Sequence, residues 1–223
     1  MENDQKIAVI IPCFNEEITI GKVICDFKRE LPNADIIVID NNSTDNSIQY
    51  AAKAGALVIK ENQQGKGYAV KRAVNDVKAD LYVLVDGDDT YHATDVHAML
   101  NCCSNGIGMV VGNRLTDENK ALFRGHRKIG NYMINFVIKL FFKSKYYDVL
   151  SGYRILTRPF VESISFEKGG FEVETELFIK ALKSPYGIQE IPIRYNKRPE
   201  GSLSKLSALS DGLKIILTIV SLR

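Results

Sequence analysis

The sequence predicts an α/β fold in which an open, mostly parallel sheet carries helices on both faces. Three observations predict it. Short continuous apolar runs read as strands buried on both sides. Stretches with helical apolar spacing alternate with them. Polar clusters follow the first, second and fourth runs, at the carboxyl ends where such sheets bind ligands.

Ile7 to Ile11 is the first strand, closed by Pro12. Asn15 to Leu31 has helical spacing through Ile18, Val23, Ile24, Phe27 and Leu31. Ile36 to Ile39 is the second strand, ended by the polar turn Asp40 to Asp45. A helix over Ser47 to Ala54 stops at Gly55, and Leu57 to Lys60 is the third strand. Gly65-Lys66-Gly67 opens a helix to about Val77, Leu81 to Val85 is the fourth strand, Thr94 to Cys102 is helical, and Met109 to Val111 is the fifth strand. Beyond it the pattern is less regular. It predicts helices over Arg127 to Phe142, Phe171 to Leu182 and Leu209 to Leu222. Ser151 to Pro159 reads as strand and turn, Ile188 to Tyr195 as a strand, and Arg198 to Lys205 as a polar loop.

The 223 residues suit one domain, with residues 1–115 as a ligand-binding half and 116–223 as a second half rich in apolar helices. A net charge of only +2 gives no global field for nucleic acid. The charge is uneven, since Lys120, Arg124, Arg127, Lys128, Lys139, Lys143 and Lys145 precede Asp148 without an intervening acid after Lys120. Cys13, Cys25, Cys102 and Cys103 form no C-x-x-C pair and read as buried or half-buried thiols of a reducing compartment. The polar start, Met1 to Lys6, has no signal-peptide pattern, so a cytoplasmic chain is expected. No run reaches the roughly 18 apolar residues of a membrane span.

The sharpest chemical signal is Asp86-Gly87-Asp88-Asp89, directly after the fourth strand. Three carboxylates so close repel one another unless a hard cation neutralises them. A cation there bridges a diphosphate and stabilises it as a leaving group. Gly87 permits a tight turn or close approach of a ligand. The plainer alternative is a solvated turn with an acidic helix start.

The company of this loop narrows the choice. Val9-Ile10-Ile11-Pro12-Cys13-Phe14-Asn15-Glu16, Val38-Ile39-Asp40-Asn41-Asn42-Ser43-Thr44-Asp45, Gly65-Lys66-Gly67 and the Asp86–Asp88 loop occur in that order. The chain thereby resembles the family 2 glycosyltransferases over nearly its whole length. The resemblance implies the Rossmann-like, nucleotide-sugar-binding fold of the first glycosyltransferase superfamily. It also implies a donor site of Pro12, Phe14, Asn15, Glu16, Asp40, Lys66, Asp86, Gly87 and Asp88, with Asp86 and Asp88 binding Mg2+ or Mn2+. Asp40 would accept a hydrogen bond from a uracil or guanine ring NH, and its alternative, with Ser43, is an Asx turn. Asn41 stands where the family carries a second acid.

The second half resembles the polyprenyl-phosphate sugar transferases of the dolichyl-phosphate mannose synthase type. The matching pieces are Gly112-Asn113-Arg114, Arg127 with Asn131, Asp148 to Arg154, Gly170-Phe171-Glu172-Val173-Glu174 and Arg198 to Lys205. Arg127 and Asn131 share a helix face. Arg114, Arg127, Asn131, Arg198 and Lys205 are the candidate acceptor-phosphate ligands, and Asp86, Asp88, Arg154 and Glu172 the candidate catalytic set. Arginine grips phosphate bidentately. A lipid phosphate is already an anionic nucleophile, whereas a sugar hydroxyl needs a general base, for which Glu172 or Glu174 is available. With a phosphate acceptor these acids position Arg154 or Arg198 instead.

Ile129 to Lys143 and Asp211 to Leu222 are apolar helices with cations, suited to peripheral membrane contact or, alternatively, to a buried core. In several relatives a membrane segment follows, so the chain is either a piece of a longer protein or a peripheral enzyme. The expected function is metal-dependent, inverting transfer from a nucleotide sugar to polyprenyl phosphate at the cytoplasmic membrane face. General resemblance favours a UDP-sugar over GDP-mannose. The alternative acceptor is a glycan hydroxyl in capsule, O-antigen or cell-wall polysaccharide assembly. A non-catalytic nucleotide- or membrane-binding module is the remote alternative. A dehydrogenase is disfavoured because Pro12 to Glu16 contains no glycine fingerprint.

Overall fold

The apolar runs form a seven-stranded sheet in the order β3-β2-β1-β4-β6-β5-β7. The computed structural model describes residues 5–119, 122, 126–203, 205 and 208–223, and the backbone alone of 126–129, 208 and 209. The first half runs β1 (Ile7–Cys13), α1 (Ile20–Glu30), β2 (Asp35–Asp40), α2 (Ser47–Lys53), β3 (Leu57–Lys60), α3 (Lys66–Asp76) and β4 (Leu81–Leu84). A short 3-10 turn (Ala93–Asp95) leads into α4 (Val96–Asn101) and β5 (Ile107–Asn113). The second half comprises α5 (His126–Phe142), β6 (Arg154–Thr157), α6 (Arg158–Ser163), α7 (Val173–Lys183), β7 (Gly187–Pro192) and α8 (Ala208–Ser221).

β1, β2, β3 and β4 pair in parallel, and β7 pairs in parallel with β5. β6 runs against both of its neighbours, β4 and β5. The sheet is thus mostly parallel, with one reversed strand inserted near its middle. The reversal matters for the site. It puts the residues before β6 at the edge where β1, β2, β4 and β5 end. Alternating side chains divide the core in two. Ile10, Ile39, Leu84 and Val111 face α3, α5, α7 and α8, whereas Ile11, Val38, Val83 and Val110 face α1, α2 and α4.

Two local departures from sequence expectation have clear causes. α1 begins at Ile20 and not at Asn15. Asn15 takes a left-handed backbone (φ 52°), and the Glu16 carbonyl accepts the amides of Thr19 and Ile20, so residues 15–19 form a turn. The helix α6, which the sequence reading leaves as turn, starts on Arg158-Pro159, where proline suits a first helical turn. Among the cysteines, Cys25 is exposed rather than buried. Burial pushes the Cys13 thiol up to about 12, so it stays a neutral packing group. Among the described residues, no helix is long and apolar enough to cross a membrane. Lys120 and Arg124 lie outside the described residues.

The start of α3 is set by a close backbone contact. The amides of Gly67 and Tyr68 donate to the Gly169 carbonyl at 2.8 and 3.2 Å. A Cβ at residue 67 would lie 2.0 Å from the Lys168 oxygen, and Gly65 holds φ 142°. Gly67→Ala should therefore lower the unfolding free energy by about 1–3 kcal/mol, measured by urea denaturation. Gly130→Ala on α5, where an added Cβ meets nothing within 4 Å, should instead raise it by roughly 0.5–1 kcal/mol.

Candidate active site

The loops after β1 and β2 are laced together before any ligand is considered. The Asn15 amide donates to Ser43 Oγ at 3.0 Å, and the Glu16 amide to Ser47 Oγ at 2.7 Å. Asn15 Oδ1 accepts the Thr44 amide at 2.8 Å. Asn41 fastens the next loop: its amide nitrogen donates to the carbonyls of Glu61 and Gln63, and its oxygen accepts the Gly65 amide at 2.6 Å. A carboxylate at position 41 has no proton to give those two carbonyls.

Asp40 is 1% exposed at the end of β2. Its Oδ1 accepts the Ser43 amide at 3.3 Å, which is the Asx turn, while its buried Oδ2 has no partner among the described residues. A buried acceptor left open is costly unless a ligand donor meets it.

Asp86 and Asp88 lie on the loop after β4. Asp86 forms an ion pair with Lys66, and its second oxygen rests against Gly152, where a Cβ would come within 2.4 Å. Burial raises the Asp86 pKa, but Lys66, Arg114 and Arg198 outweigh it and hold the carboxyl below the usual range. Asp88 Oδ1 accepts the hydroxyl and amide of Thr90, and Oδ2 pairs with Arg198. Burial first, and then repulsion from Asp86, push Asp88 above the usual range. Gly87 packs against Ile20 and Ile11, and its carbonyl accepts Thr19 Oγ1 at 2.6 Å.

The polar loop after β7 closes over this edge. The Asn196 amide donates to the Thr90 carbonyl at 2.8 Å, and Tyr195 bridges Tyr91. Arg198 then reaches Asp88 and, at 3.7 Å, Glu16. Lys205 donates to the Asn15 carbonyl at 2.8 Å and to Glu16 at 3.1 Å. Burial still leaves the Glu16 carboxyl above its ordinary value despite Lys205 and Arg198.

Two other arginines, Arg114 and Arg154, bond within the protein. Arg114 makes a bidentate pair with Asp148, both bonds 2.8 Å. Arg154 is 1% exposed and donates to the carbonyls of Ser151, Glu174 and Val149 at 2.9, 2.7 and 2.5 Å. Glu172, just before α7, accepts the Gly170 amide with one oxygen and leaves Oε2 unpartnered. Neither Glu172 nor the Glu174 side chain holds Arg154 or Arg198. The Glu174 carboxylate takes Lys66 at 2.5 Å instead.

The model of the family described as glycosyl transferase family 2 matches residues 8–164. The chain belongs to that family. As a glycosyltransferase it is 34% identical over 220 residues to glycosyltransferase AglJ of Haloferax volcanii, covering 98% of this chain and 72% of that one. It is 30% identical over 215 residues to the dolichyl-phosphate hexose transferase of the same organism, covering 96% and 92% of the two chains. Among solved structures it resembles glucosyl-3-phosphoglycerate synthase from Mycobacterium tuberculosis, in complex with Mn2+, UDP-glucose and phosphoglyceric acid. That match has a TM-score of 0.78 at 21% identity and covers 98% of this chain and 80% of that one. It shows the shared glycosyltransferase fold.

The fold gathers Pro12, Asn15, Glu16, Asp40, Lys66, Asp86, Gly87, Asp88, Arg198 and Lys205 around one sheet edge. Phe14 is half-buried in the first of these loops, and Asn131 half-buried on α5. Arg127 falls on α5 with its side chain outside the described part. Sequence reasoning missed the Glu174–Lys66 pair, because 108 residues separate the partners and no local spacing joins them. Among the described residues, no three His, Cys, Asp or Glu side chains are arranged to hold a metal by themselves. Two acids on one tight turn fit a hard cation that draws its other ligands from a diphosphate and water. Burial and the neighbouring Asp86 disfavour the charge of Asp88 even with Arg198 beside it, a cost that such a cation would offset.

Because Arg154 satisfies three buried carbonyls, Arg154→Met should lower stability by about 3 kcal/mol or more. Urea denaturation checks this. An unchanged midpoint with lost turnover would assign Arg154 to the chemistry instead.

Proposed function

We propose that this glycosyltransferase moves one sugar, with inversion, from a nucleotide diphosphate sugar to polyprenyl phosphate at the cytoplasmic membrane face. The observation that carries the donor side is the acid pair of half-buried Asp86 and buried Asp88, each paired with a cation from a distant segment, Lys66 and Arg198. Mg2+ or Mn2+ would be held by Asp86 and Asp88, and when bound it neutralises the departing diphosphate. Asp40 Oδ2 would accept the base NH of a UDP-sugar, or of GDP-mannose as the second choice. Arg198 and Lys205 pair with Asp88 and Glu16 at this edge and are the first candidates to meet the acceptor phosphate.

The lipid acceptor is supported by an exposed apolar surface on the second half of the chain. α5 exposes Tyr132, Met133, Phe136 and Leu140, and α8, packed against it, exposes Leu213, Leu217 and Val220. Lys139, Lys143 and Lys145 on and just after α5, and Lys214 and Arg223 on and just after α8, are exposed as well. Exposed apolar residues and exposed cations on the same helices suit the headgroup layer of an anionic membrane. The relationship to a dolichyl-phosphate hexose transferase points the same way. One observation favours a second reading, transfer to a glycan hydroxyl: Glu172 keeps an unpartnered carboxylate oxygen that could act as general base.

Asp88→Ala should abolish turnover together with Mn2+-enhanced nucleotide binding, followed by thermal shift. Full activity of the wild type in excess chelator would contradict the metal assignment. With radiolabelled donor and a membrane extract, label should enter the organic-soluble fraction. Label found solely in water-soluble oligosaccharide would establish the hydroxyl reading.

A further inference from the structure

Lys66 stands between two carboxylates, and only Asp86 belongs to the loop that meets the donor. Its ammonium bonds Asp86 and, at 2.5 Å, Glu174. The Lys66 and Glu174 side chains are 13% and 11% exposed. An ammonium so enclosed is strongly destabilised when it loses its partner. We propose that Glu174 is a positioning residue: it keeps an anchor for Lys66 when a divalent cation takes Asp86, so that cation binding strands no buried charge. This rests on the assignment of Asp86 and Asp88 to a metal.

The framework around Lys66 supports such an exchange. Glu176, fully buried, accepts the amides of Glu167 and Lys168 at 2.9 Å and the Lys180 ammonium at 2.8 Å. That fixes α7 to the 167–169 loop. The Gly169 carbonyl of this loop receives the first amides of α3. Lys66 and Glu174 therefore sit on one connected scaffold, and Asp86 sits on another, the loop after β4. An ammonium passing from Asp86 to Glu174 needs only side-chain movement. The first turn of α7 also favours a carboxylate through its helix dipole.

The direction of each effect follows. Glu174→Gln leaves Lys66 with Asp86 as its sole anionic partner, and the ammonium then competes harder with the cation. Lys66→Met removes the competitor.

The test is a double-mutant cycle read by Mn2+ binding, with free Mn2+ followed by its paramagnetic resonance signal, in the presence of saturating UDP and, in parallel, GDP. Glu174→Gln should weaken Mn2+ binding roughly tenfold in the wild-type background and change it little in the Lys66→Met background. Lys66→Met alone should bind Mn2+ more tightly than wild type. Equal weakening in both backgrounds overturns the proposal, because it would mark an effect of Glu174 that does not pass through Lys66. Weaker binding by Lys66→Met overturns it as well, and that arm stands even where Glu174→Gln fails to fold. Wild-type protein that takes up no Mn2+ with either nucleotide removes the metal assignment itself. A flat cycle in a wild type that binds Mn2+ removes only the role of Glu174.

Discussion

Charge balance at one edge of the sheet is the constraint on which the rest of the molecule depends. Glu16, Asp86, Asp88 and Glu174 are brought close together in surroundings poor in water, where like charges repel strongly. The compensating cations come from elsewhere: Lys66 from the start of α3, Arg198 and Lys205 from the loop before α8. Neutralising the edge therefore requires the second half of the chain to close on the first. Under the proposed function the same side chains would both neutralise this edge and meet the acceptor phosphate.

The parallel half of the sheet was legible because its physics is local. β1, β2 and β4 are built on continuous apolar runs, and they end at Cys13, Asp40 and Leu84, beside the sequence breaks at Pro12, Asp40 and Asp86. The reversed strand was not legible in this way. β6 has four residues, and its first, Arg154, is a charged side chain buried among backbone carbonyls. Nothing in such a short run specifies its direction, which follows from packing between β4 and β5. The start of α1 was misplaced for a different reason. The apolar spacing continues back to Ile18, but Asn15 adopts a left-handed backbone and lends its oxygen to the Thr44 amide, a contact across 29 residues.

At the site, residue type was readable and the partner was not. The five acceptor-side positions and Arg154 were expected together. Arg154 and Arg114 instead spend their guanidinium groups on carbonyls and on Asp148, while Arg198 and Lys205 reach the acids of the donor loops. Arg114 follows β5, Arg154 opens β6 and Arg198 lies beyond β7, and none of these positions marks in the sequence which partner the guanidinium takes. Asn41 illustrates the converse. A departure from the family pattern becomes intelligible once its two carbonyl partners and one amide partner are seen, because an amide can both donate and accept where an acid cannot.

Gly152 carries a last implication. The space its missing side chain leaves is filled by an oxygen of Asp86. The aim of that acid toward Lys66 thus depends on this void as well as on the charge of the lysine. A single methyl group there would redirect the carboxylate while leaving every ionisable residue of the pocket in place. Geometry and charge at this corner are separable by one carbon atom.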